Sequence, residues 1–140
     1  MWKVIEKIMV ARLSCLKLHD CLHGGLPWRG TGTAIMEVKL HQQLAWVDQV
    51  PLYQVYLDLK KAYDALNRMR CLKILAGYRV GPNLLRLQKK FWSNAKLVCR
   101  AGGNFGEPFG AGRGVMQGGP LSSLMFNVCV NAVVREWLQQ

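Results

Sequence analysis

Acidic residues are scarce in this chain. Eight Asp and Glu stand against nineteen Lys and Arg among 140 residues, a formal net charge of +11. A domain this basic is suited to a polyanion. Nucleic acid is the first candidate and an acidic membrane surface the second, because charge alone does not choose. Also missing is any Cys-x-x-Cys pair. The five cysteines, at 15, 21, 71, 99 and 129, are scattered and odd in number. That pattern supports neither a disulfide framework nor a zinc site. A reducing, intracellular compartment fits it, with nucleus and cytoplasm both open. Cys99 and Cys129 lie in apolar runs and are expected to be buried thiols. No stretch approaches the roughly 18 consecutive apolar residues of a membrane span, and no secretory signal is visible. Repeats and low-complexity linkers are absent too.

What is present is enough for one domain with a core. Apolar residues make up 51% of the chain, a globular proportion. Ile5, Ile8, Met9, Leu13 and Leu16, with Trp2, recur at helical spacing and predict a helix over 2–18. Four glycines and a proline make 23–33 a loop. Thr33 is a candidate cap for a helix over 34–45. Tyr53, Val55 and Leu57 alternate with Gln54, Tyr56 and Asp58, which predicts a strand over 53–58. Helices are expected over 67–75 and 83–92. Strands near 95–101 and 107–113 are expected to join through Gly102-Gly103-Asn104. Pro120 then opens a helix over 121–138.

A carboxylate at the end of a strand is rigidly held and opens onto a cleft. Hard cations such as Mg²⁺ take oxygen ligands of this kind, with substrate phosphates completing the shell. By itself Asp58 reads first as a helix-capping Asp and only second as a metal ligand. The segment around it, Val55-Tyr56-Leu57-Asp58-Leu59-Lys60-Lys61-Ala62-Tyr63-Asp64, resembles motif A of the reverse transcriptases. The forms most like it are those of non-long-terminal-repeat retrotransposons and group II introns. The resemblance implies that Asp58 is a catalytic metal ligand and that Tyr63 is the steric gate under the nucleotide sugar. A flat ring there leaves no room for a 2′-hydroxyl, which favours deoxynucleotides. RNA-copying RNA polymerases, which share the motif, place a polar residue at that point and are a weaker match. Asp64 carries no metal assignment.

A second feature is Gly114-Val115-Met116-Gln117-Gly118-Gly119-Pro120-Leu121-Ser122. Adjacent glycines let backbone approach a ligand closely, and the following helix offers free N–H groups at its start. Taken alone, Gln-Gly-Gly-Pro is also compatible with a simple tight turn. The segment resembles motif B of the same family, with Ser123 in place of the usual second proline. The resemblance implies that Gln117 and Gly118 contact the incoming nucleotide and its template base. Further along, Ser123, Asn127, Asn131 and Arg135 form a polar stripe on an apolar helix, facing either substrate or solvent.

The loop Trp28-Arg29-Gly30-Thr31-Gly32-Thr33-Ala34-Ile35 resembles the segment that precedes motif A in retroelement enzymes. Gly25 departs from the pattern, which commonly has an aromatic there. Arg29 is a candidate contact for a template or primer phosphate, or a solvated loop arginine. Arg86, Lys89 and Lys90 read first as a charged solvent face.

Together these resemblances imply an α/β architecture: part of a right-hand polymerase palm with a fingers remnant, antiparallel strands backed by helices. Residues 1–50 correspond to fingers-side helices and the basic loop, and 51–140 to the palm with motifs A and B. The family's paired aspartates and thumb find no match before Gln140. The implied reaction is two-metal addition of deoxynucleotides to a primer 3′ end. It calls for Mg²⁺ (Mn²⁺ as a substitute), an RNA template, a DNA primer and dNTP. With the paired aspartates unmatched, the chain by itself is expected to be inactive. The alternative is a non-catalytic nucleic-acid-binding remnant of a retroelement.

Overall fold

The computed structural model describes residues 2–139, with the Trp2 side chain outside the described set; Trp2's place on the apolar stripe therefore lies outside it as well. Among the described residues, five helices of substantial length and one short turn of helix carry the chain. They are α1 (Trp2–Leu13), α2 (Thr31–Val47), α3 (Ala62–Ala65), α4 (Arg68–Gly77), α5 (Pro82–Asn94) and α6 (Pro120–Leu138). Between α5 and α6 lie β1 (Lys96–Leu97), β2 (Arg100–Ala101), β3 (Asn104–Phe105) and β4 (Phe109–Gly110). β1 pairs antiparallel with β4 and β2 with β3, making one long hairpin. Gly102 and Gly103 turn it with φ of 56° and 86°, the double positive-φ turn that suits the twist of paired strands. This mixture of helices and small antiparallel sheets is the α/β class expected. No helix among the described residues is long and apolar enough to cross a membrane.

The core gathers on α6. Leu121, Met125 and Val128 are buried there, at helical spacing. Met9 and Leu13 of α1 pack against them, as do Cys71, Leu72 and Leu75 of α4, and Trp92 of α5 closes the cluster. Pro120 sits in the first turn of α6 and Pro82 in that of α5, where a missing N–H costs nothing. Asn67 caps α4, its side chain accepting from the Arg70 amide. Burying each large side chain in this cluster stabilises by about 1.5–3 kcal/mol.

Several expectations are corrected. First, α1 stops at Leu13 rather than 18, and Ile8 points outward. The chain leaves the helix because α6 binds the backbone of the next segment. Asn131 Oδ1 accepts from the His19 amide at 2.6 Å, and Asn127 Nδ2 donates to the Gly24 carbonyl at 2.6 Å. Arg135 reaches the Lys17 carbonyl at 3.0 Å. The middle of the polar stripe on α6 therefore faces neither substrate nor solvent: Asn127 and Asn131 are buried anchors for a loop. Where that loop crosses α6, a Cβ on Gly25 would lie 3.0 Å from Ser123 Cβ. The two departures from the family pattern meet at one contact.

Second, residues 53–58 form no strand; they run unpaired and exposed. Alternating apolar residues describe a strand that has a neighbour. Backbone N–H and C=O groups need a ladder partner, and no described strand lies beside this segment. Third, Cys99 is exposed while Cys71 is the fully buried thiol and Cys129 is half-buried. Cys99 sits in the hairpin, whose strands have both faces open. The helix at 31 starts earlier than expected, with Gly30 as its cap. Thr33, in its first turn, accepts from the Gly30 amide at 2.9 Å.

Candidate nucleotide site

Tyr63 is fixed from three directions. It lies in α3, a single turn that follows Lys61. Its ring packs on Phe126 of α6 with centroids 5.3 Å apart. Its carbonyl accepts from the Val115 amide at 3.0 Å, and the Leu66 carbonyl accepts from the Gly114 amide at 2.8 Å. These two backbone bonds stitch the end of the Asp58 segment to the start of the glycine-rich turn. Such an approach has no room for a side chain. A Cβ on Gly114 would stand 2.9 Å from the Asp64 Cα and carbonyl oxygen, and φ there is +80°. Only glycine satisfies both conditions.

Arg68 secures the same junction, a role its sequence context did not reveal. Nε donates to the Gly114 carbonyl at 2.6 Å. Its Nη1 donates to the Trp92 carbonyl at 3.3 Å and also to that of Ala111. The guanidinium carbon stands 5.8 Å from the Trp92 ring centroid. Partial burial pulls its pKa down from the ordinary value, yet an arginine stays charged. One cation thus ties α4, α5 and the approach to the turn together through carbonyl oxygens.

The turn itself closes on its own backbone. Ser122 Oγ donates to the Met116 carbonyl at 2.5 Å, and the Gly119 amide donates to the same oxygen at 3.1 Å. Gln117 and Gly118 are thereby left at the exposed tip. Opposite the tip lies Tyr63. Tyr63, Gln117, Gly118, Gly119, Ser122 and Ser123 line one cavity of about 510 Å³, within the usual range for small-molecule sites. Tyr63 and the adjacent pair Gln117-Gly118, far apart in sequence and each singled out for nucleotide contact, meet there.

Asp58 does not join them. It is exposed, four residues before α3, and is not among the lining residues. Nor does it cap a helix, since Lys61 precedes α3. Among the described residues no three His, Cys, Asp or Glu side chains cluster so as to hold a metal ion. One carboxylate does not fit a two-ion centre. Arg29 lies elsewhere again and is engaged. It donates to the Asp20 and Leu22 carbonyls at 2.6 and 3.2 Å and to the Asp20 carboxylate at 2.7 Å. The hydrogen bond and charge of Arg29 hold the Asp20 carboxyl below its ordinary pKa. Arg86, Lys89 and Lys90 are all exposed on α5.

The segment around Tyr63 and the Gln-Gly-Gly-Pro turn at the start of α6 thus meet at one cavity. The chain belongs to the reverse transcriptase family. The family model described as "Reverse transcriptase (RNA-dependent DNA polymerase)" matches residues 1–140. The "Transposon TX1 uncharacterized 149 kDa protein" of Xenopus laevis is 23% identical over 133 residues, covering 92% of this chain and 10% of that protein. The "Retrovirus-related Pol polyprotein from type-1 retrotransposable element R2" of Nasonia vitripennis is 32% identical over 84 residues, 60% of this chain and 8% of the polyprotein. The chain thus spans about a tenth or less of each relative's length.

Proposed function

We propose that this chain is the nucleotide-receiving part of a retroelement reverse transcriptase, whose whole protein copies an RNA template by extending a DNA primer with dNTPs. Residues 1–50 serve as the fingers side and 51–140 as the palm. The observation that carries this reading is the shared cavity of Tyr63, Gln117 and Gly118. Tyr63 stacks against the sugar and excludes a 2′-hydroxyl. Gln117, with both donor and acceptor groups, and the Gly118 backbone hold the nucleotide and its template base. The N–H groups at the start of α6 favour phosphate nearby. Asp58 would supply one carboxylate to a Mg²⁺ or Mn²⁺ site, and among the described residues no cluster beside it completes one. Arg29 contacts nucleic-acid phosphate once a strand competes with Asp20.

Equilibrium binding of dUTP and UTP, which differ only at the 2′-hydroxyl, to the chain tests the gate. The deoxynucleotide is expected to bind more tightly, and Tyr63→Ala to bring the two affinities together. Equal binding by the unmodified chain would overturn the reading. A second reading, a non-catalytic nucleic-acid-binding remnant, draws on the exposed and solitary Asp58. It expects strand binding without any preference between dUTP and UTP.

A further inference from the structure

Two cysteines pair off where α4 packs on α6. Cys71 is fully buried, Cys129 is half-buried, and both are free thiols. Cys71 Sγ lies 3.6 Å from the Met125 carbonyl oxygen and 3.5 Å from the Met125 thioether sulfur. That carbonyl stands one helical turn before Cys129 and points along α6 toward it. The two thiols are hydrogen-bonded to each other.

Their surroundings differ. Cys71 is enclosed by the core, whereas Cys129 lines an open hollow of about 370 Å³ among α3, α4 and α6. The charged residues on that lining are Lys60 and Arg70, both exposed, with no carboxylate among them. Cations without an anion favour a thiolate over a thiol. The hydrogen bond from Cys71 holds the Cys129 thiol below its ordinary range, against the opposing effect of burial. The same bond, together with burial, pushes the Cys71 thiol up. One proton therefore serves both sulfurs: it stays on Cys71 and leaves Cys129 as the nucleophile. A thiolate that opens to solution, with a second thiol at its back, is the arrangement of a peroxide-reactive pair.

We propose that Cys129 is a site of reversible oxidation by hydroperoxides, with Cys71 as the thiol that closes a bridge to it. The Cys129 thiolate attacks one oxygen of the peroxide, the O–O bond breaks, and hydroxide or alkoxide leaves with the electron pair. Cys129 is then a sulfenic acid. The Cys71 sulfur attacks the Cys129 sulfur, the S–O bond breaks, and the Cys71 proton leaves with the hydroxide as water. The two sulfurs together lose two electrons, which the peroxide takes. The bridge ties α4 to α6 three residues beyond Phe126, against which the Tyr63 ring packs. The inference is independent of what the Tyr63 cavity binds.

The test is non-reducing peptide mapping of the 140-residue chain after brief treatment with hydrogen peroxide. Cys15, Cys21 and Cys99 are exposed, so Cys15→Ser/Cys21→Ser/Cys99→Ser removes the competing thiols and leaves the core untouched. Trypsin then releases Cys71–Lys73 and Gly114–Arg135. The two peptides are expected as one species, two hydrogens lighter than their sum, which dithiothreitol separates. The oxidised chain is expected to melt at a higher temperature than the reduced one, because a loop closed between 71 and 129 restricts the unfolded chain. Adding Cys71→Ala is expected to leave Cys129 as a sulfenic acid that dimedone captures. A Cys129 that stays reduced under peroxide would overturn the proposal. So would an oxidised Cys129 beside a free Cys71 thiol, or bridges that form only between molecules. These readouts come from the triple variant, whose two core thiols are intact, so they hold even where Cys71→Ala fails to fold.

Discussion

Replacing Gly114 with alanine should unlock the whole site. The added Cβ would stand 2.9 Å from two backbone atoms of Asp64, neither of which can rotate away. Holding a non-glycine residue at φ +80° costs on the order of 1–2 kcal/mol. Relieving the contact must lengthen the Gly114–Leu66 backbone bond or the Arg68–Gly114 bond, now 2.8 and 2.6 Å. Part-buried hydrogen bonds contribute about 1 kcal/mol each, so the total loss is about 2–4 kcal/mol. For a domain of this size that is a melting temperature lower by roughly 10 °C. Gly112 provides the control, with nothing within 4 Å of an added Cβ and no positive φ. Gly112→Ala should stay within about 0.5 kcal/mol of the parent. The readout is thermal and urea melts of the three proteins, with dTTP affinity alongside. If Gly114→Ala melts with Gly112→Ala, the stitch between Tyr63 and the turn is not what holds the cavity.

Asn131→Ala strips the partners from a part-buried His19 amide and from the Tyr78 hydroxyl, and a loss of about 2–3 kcal/mol is expected in urea unfolding. Thiol labelling should proceed in order: exposed Cys15, Cys21 and Cys99 first, Cys129 next, and buried Cys71 only on unfolding; early labelling of Cys71 would refute the packing of α4 on α6. The Asp20 carboxyl has a folded pKa below its ordinary 3.8, so the Arg29 pair contributes stability above that value and loses it as pH falls through the lowered one. Arg29→Ala should return the Asp20 titration, followed by NMR, toward 3.8. Primer extension by the chain alone with Mg²⁺ should give no product, and robust extension would contradict the solitary Asp58.

Local signals in the sequence were reliable where an element's own residues decide it. Pro120 and the apolar spacing beyond it located α6 to within one residue, and Gly102-Gly103 located the hairpin turn. Elements that depend on a distant partner were not legible. The end of α1 is decided by Asn127 and Asn131, over a hundred residues away. The alternation at 53–58 records a tendency to pair, and pairing needs a neighbour. For the site, Tyr63, Gln117 and Gly118 could be named from motif resemblance, and the three line one cavity. Arg68 could not, because a basic residue after a helix cap carries no mark of the three carbonyls it will bind. Glu6 was missed for a similar reason: a charge interrupting an apolar stripe reads as exposed, yet it is buried on α1.

The bare segment before α3 has a practical consequence for anyone preparing variants. From Gln49 to Leu59 the chain is rich in Val, Leu and Tyr, and Asp58 is its sole charge. Short uncharged stretches of this composition stack into cross-β fibrils when exposed, and a lone charge within one acts as a gatekeeper. Asp58→Ala or Asp58→Asn, the natural choice for a catalytically dead control, removes that gatekeeper. Such a control should precipitate more readily than its parent, and Asp58→Glu, which keeps the charge, should not.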